Sequence, residues 1–96
     1  MHRALLERRI RDVHARLVRA REDLAVLDEQ LAVVMESADE ARVRSLVAET
    51  PLAAHEHSEA ARHADAMAKA RAALAGTVTD LEHRQDELLA DVAGAS

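Results

Sequence analysis

"VVMESADEARVRSLVAETPLAAHEHSEAARH", residues 33–63, contains the only proline of the 96-residue chain, and its reading decides the fold. Thr50 stands directly before Pro51. A threonine hydroxyl accepts a hydrogen bond from the unpaired amides of a helix's first turn, and proline suits the first helical position because the amide it lacks would have no partner there. Proline also drives the residue before it out of helical geometry. The pair predicts a helix beginning at Pro51, with Glu49 and Thr50 outside it. Further back, Ser37-Ala38-Asp39-Glu40 spells a capping box, in which the Ser side chain bonds the Glu amide and the Glu side chain reaches back to the Ser amide. That predicts another helix start, at Ala38.

Upstream, apolar residues fall at Leu6, Ile10, Val13, Leu17, Ala20, Leu24, Leu27, Leu31 and Val34, in steps that alternate between four and three. This is a heptad seam, which keeps one narrow stripe facing a partner helix. Continuing the steps reaches Ala38, Ala41 and Ser45, whereas the large apolar residues lie at Val43, Leu46 and Val47. The slip coincides with the capping box and supports a break. Downstream the seam is Ala53, His57, Ala60, Ala64, Met67, Arg71, Leu74, Val78, Leu81, Gln85, Leu88 and Val92. Gly76 lies inside that helix, where it costs about 1 kcal/mol relative to Ala, and its missing side chain would permit a close helix contact. The expected elements are helices over 3–36, 38–49 and 51–92, in one domain spanning 1–96.

The charges choose an arrangement. Residues 1–21 hold seven Arg against Glu7 and Asp12, a balance of +5; residues 22–41 hold seven acids and no Lys or Arg; residues 80–96 hold five acids against Arg84, a balance of -4. Folded as an antiparallel hairpin with paired numbers summing to about 94, the basic beginning faces the acidic finish, and the acidic segment faces Arg62, Lys69, Arg71 and three His. Flanking charges are effective at setting helix orientation. Leu5, Val18, Val26, Val33, Leu52 and Leu89 lie off the seam and widen the apolar face. The expected fold is therefore all-α: an antiparallel helical hairpin (coiled coil) with a short helix near its turn, dimerising into a four-helix bundle.

Composition narrows the functions. No aromatic residue and no cysteine is present, which removes base-stacking platforms, thiol nucleophiles and thiolate metal sites. No apolar run approaches the ~20 residues of a membrane span, and the Arg-rich start lacks the apolar block of a signal peptide, so a cytoplasmic protein without membrane association is expected. A net charge of -5 disfavours general affinity for nucleic acid. No nucleophile elbow or phosphate-cradling glycine loop occurs, so neither enzyme activity nor a cofactor is expected.

Two constellations remain. His55, Glu59 and His63 are spaced by four and share one helical face, which suits a transition metal; in the expected register they also face Asp23, Asp28, Glu29 and Glu36, which would make them a pH sensor. Glu36, Asp39 and Glu40 form an acidic group near the expected turn, and Arg71 is a charge within the seam; these are the candidate partner-binding residues. The stretch "ADEARVRSLVAETPLAAHEH", with its Arg- and Ala-rich surroundings, resembles small uncharacterised helical proteins of high-GC Gram-positive bacteria (actinobacteria). That resemblance implies a helical fold and no activity. The expected function is a non-enzymatic protein–protein interaction module, a homodimer that also binds another protein as a regulator of a larger machine such as the transcription apparatus. The alternatives are a ligand- or metal-gated helical switch, and a nucleic-acid-associated protein using the N-terminal Arg run.

Overall fold

The computed structural model describes residues 3–95. Two long helices account for nearly all of them: α1 spans Arg3–Ala48 and α2 spans Pro51–Ala95, joined by Glu49 and Thr50. The joint forms as its residues predict. The Thr50 hydroxyl accepts from the Ala53 amide at 3.1 Å, and the Thr50 carbonyl accepts from the Ala54 amide at 3.0 Å. Pro51 takes the first helical position. α1 closes with the Glu49 amide donating to the Ser45 carbonyl at 3.1 Å. Glu49 then adopts a φ of 52°, the left-handed conformation that glycine usually supplies just past a helix end.

The break expected at Ser37 does not occur: α1 runs unbroken through the capping-box sequence, and there is no separate helix over 38–49. The heptad steps continue instead. Ala41 is only 3% exposed and Ala38 and Ser45 are half-buried, while Val43, Leu46 and Val47 are exposed. Position in the repeat, and not side-chain size, marks the buried stripe. A capping box satisfies amides that have no helical partner, and within a continuous helix those amides already bond the preceding turn. Asp39 accepts instead from Arg42 on the next turn, at 3.0 Å. The seam of α2 is as expected: from Ala53 to Val92 every predicted position is buried or half-buried. The helix itself runs three residues past the expected end.

The chain divides into two compact units. One joins the stretch up to Leu24 with that from Ala73 onward; the other is Ala25–Ala72. In the first, Leu6, Val13, Leu17 and Ala20 from α1 and Val78, Leu81 and Leu88 from α2 form a core, with Ile10, Leu24, Leu74 and Val92 packed against it. Leu17 and Leu88 are fully buried, and each contributes about 2 to 3 kcal/mol. The two helices run antiparallel here: His14 lies 3.4 Å from Gln85, and Arg21 pairs with Glu82 at 3.1 Å. The basic beginning thus lies beside the acidic finish. The helix tolerates the run Gly76-Thr77-Val78-Thr79 because the Thr77 and Thr79 hydroxyls donate to the carbonyls of Ala73 and Ala75 and Val78 is buried. Gly76 meets no close neighbour: a Cβ there would touch nothing within 4 Å, so the close contact its missing side chain would permit is not made.

In the second unit the chain reverses at Glu49–Thr50, and Asp28 pairs with Arg71 at 2.7 Å. In both units the observed partners lie more than a full helical turn beyond the expected register. The reason is the turn. With no short helix intervening, residues of the second unit equidistant from Glu49 and Thr50 face each other, as Asp28 and Arg71 do. No helix among the described residues is long and apolar enough to cross a membrane.

Two outcomes follow from these local geometries. Gly76→Ala fills empty space in a helix and raises stability by about 1 kcal/mol, a gain of several degrees in thermal unfolding. At the turn, Thr50→Ala lowers stability by about 1 kcal/mol, while Glu49→Gly leaves it level or raises it by up to about 1 kcal/mol because glycine removes the left-handed strain; thermal denaturation followed by circular dichroism reads both.

Candidate interaction surface

The second unit buries little of its seam and leaves many large apolar residues outside it. Its seam runs Leu27, Leu31, Val34, Ala38, Ala41 and Ser45 on α1, against Ala53, His57, Ala60, Ala64, Met67 and Arg71 on α2. Only Ala41 is buried. Covering a lone methyl so fully requires the facing helix to come near, which small side chains at a crossing permit. Leu27, Leu31, Val34 and Met67 in this stripe are half-buried, and seven other large apolar residues lie outside it. Val26, Val33, Met35, Val43, Leu46, Val47 and Leu52 are all exposed, Val47 to 81%.

Several of them line clefts. Val43, Val47, Ala48, Leu52 and Ala53 form an apolar trough of about 350 Å³ beside the turn, with Arg44 and Glu56 at its rim. A second cleft lies between Val33, Val34 and Met67, flanked by Glu29 and Gln30. Both are open. They can seat the side chains of another helix, and they offer no cluster of convergent polar groups for chemistry.

The residues expected to form sites are placed as follows. His55, Glu59 and His63 are all exposed on α2. Glu59 is held by Arg62 at 2.9 Å, and no group of three His, Asp or Glu side chains among the described residues is brought together to hold a metal ion. Three residues in line along one straight helix converge poorly on a single point, and the opposite helix supplies no further ligand here. Glu36, Asp39 and Glu40 do not form the tip. They lie on α1 roughly 13 to 20 Å before the turn, since α1 continues to Ala48. Asp39 is paired with Arg42, while Glu36 and Glu40 are exposed and unpaired. The tip itself is Val47, Glu49, Thr50 and Leu52, more apolar than acidic.

Arg71 is the seam charge anticipated, and Asp28 explains how the seam accommodates it. The guanidinium donates to the carboxylate at 2.7 Å, and that hydrogen bond, with the Coulomb attraction behind it, raises the Arg71 pKa above its ordinary value. The pair stays in contact with solvent, so it orients the helices more than it stabilises them. Sequence reading missed Arg44 and Glu56. Their signal was available in part: the large apolar residues around them, Val43, Val47 and Leu52, depart from the seam.

Geometry defines this chain as an all-α protein of two long helices, with one well-buried unit and one whose large apolar side chains remain uncovered. Compared with known proteins, the chain matches no family model, no curated protein and no solved structure.

A double-mutant cycle on Asp28→Asn and Arg71→Gln tests the seam pair. Coupling between the two positions is expected at low salt and shrinks toward zero at ~1 M salt, because solvent-exposed charges are screened within about 3 Å there.

Proposed function

We propose that the protein is a non-enzymatic interaction module: a helical hairpin that pairs with a second copy into a four-helix bundle and, so paired, docks on a larger protein as a regulator. One observation carries the reading. The second unit exposes seven large apolar side chains and buries a single alanine. An apolar surface of that kind on a small chain is stabilised by being covered, and it marks a protein contact.

The acids supply the second contact. Glu29 and Glu36 are seven residues apart on the outer side of α1, exposed and without ion-pair partners. With a net charge of -5 on the chain, they suit a basic surface, such as the channels of the transcription apparatus.

Sedimentation of the purified chain is expected to give double the mass of one polypeptide. Glu29→Lys/Glu36→Lys keeps that mass and loses the larger protein that co-purifies with wild type from the source cell. A monomeric wild type, or unchanged co-purification of the double variant, would overturn the reading.

A further inference from the structure

Val26, Val33 and Val47 recur on α1 at multiples of seven residues and so lie along one flank of its seam. Leu52, Glu59 and Ala66 do the same on α2. The trough that joins Val43 and Val47 to Leu52 places these two flanks on the same side of the second unit. The three valines and Leu52 are each more than half exposed. Arg44 and Glu56 stand at the rim of the trough, and neither forms an ion pair within the chain.

Resting on the homodimer reading above, we propose that this flank is where the second copy docks, with the two-fold axis parallel to the helices and Arg44 of each copy paired with Glu56 of the other. Such an axis lays α1 of one copy against α2 of its mate, so every helix has antiparallel neighbours. Heights above the turn then decide who meets whom. Val47 and Leu52 each stand two residues from Glu49–Thr50, and Arg44 and Glu56 stand five and six residues away. Val47 therefore packs on Leu52 of the second copy, and Arg44 reaches its Glu56. Further along, Val33 meets Ala66 of the second copy, whose small side chain leaves room for it.

A surface that binds itself across a two-fold axis must be its own complement. One cation and one anion at matching height meet that condition, as do a large apolar residue and a small one. A uniformly basic or acidic partner would attract one rim charge and repel the other. Glu40 comes level with Glu59 of the second copy, and the Arg62 guanidinium, 2.9 Å from Glu59, offsets the two carboxylates there. The area is sufficient: a face roughly 30 Å long and two helices of about 10 Å wide covers on the order of 600 Å² in projection, close to the about 800 Å² each partner buries in a standard interface.

Sedimentation velocity over a concentration series tests the proposal, using full-length wild type, Arg44→Glu, Glu56→Arg, an equimolar mixture of those two, and Val47→Glu. Each charge reversal is expected to weaken self-association about tenfold or more by setting like charges face to face. The mixture restores it, because in a mixed pair both contacts again join opposite charges. Val47→Glu abolishes association with helicity unchanged, since that position is 81% exposed in the single chain. Charge reversals that associate like wild type would overturn the assignment of the face and leave the homodimer standing. Weakened variants that the mixture fails to restore would place the Arg44–Glu56 attraction within one chain and overturn the pairing. A wild type that is monomeric throughout would remove both the face and the homodimer.

Discussion

A reversal only two residues long leaves a helical chain no slack. Glu49 turns left-handed, Thr50 caps the next helix through its hydroxyl, and Pro51 is already helical. Within the second unit this makes residues equidistant from the turn face each other, and Asp28 and Arg71 obey that rule. The left-handed glutamate costs about 1 to 2 kcal/mol, which the threonine cap offsets in part. A longer connection would let one helix slide along the other; this one holds the register at the point where Ala38, Ala41 and Ser45 must meet Ala53, His57 and Ala60.

Side-chain size then separates what the two units do. The first carries leucines and valines in its stripe and buries them, with Leu17 and Leu88 wholly removed from solvent. The second carries Ala38, Ala41, Ala53, Ala60 and Ala64 there, and its larger seam residues, Leu27, Leu31, Val34 and Met67, are only half-buried. An alanine methyl brings about 0.8 kcal/mol on burial, against 2 to 3 for a leucine. The second unit therefore fully buries only Ala41, while Val26, Val33, Val43, Leu46, Val47 and Leu52 lie outside.

Charge has a subordinate part. Many of the ion pairs are local, joining residues three or four apart on one helix, as in Arg3–Glu7, Arg62–Glu59 and Lys69–Asp65. All are exposed and individually weak. The pairs that span the helices, Arg21–Glu82 and Arg71–Asp28, agree with an antiparallel course in their own units. Charge pattern indicated the direction of the fold correctly and its register incorrectly, because blocks of like charge define orientation over tens of ångströms and cannot resolve a shift of one or two turns.

Much of the architecture was legible in the residues. The alternating steps of four and three marked the stripe of each helix, and Thr50-Pro51 marked the start of α2, because helix period and capping chemistry are local properties. Tertiary structure decided the rest. It carried α1 through Ser37, buried Ala41 in preference to Val43 and Val47, left Gly76 without a neighbour, and assembled no metal-holding group around His55, Glu59 and His63. It also put Arg44 and Glu56 on the rim of one trough, twelve residues apart in the chain. Burial and convergence depend on which surface lies opposite a side chain, and that is settled only when the turn sets the two helices against each other.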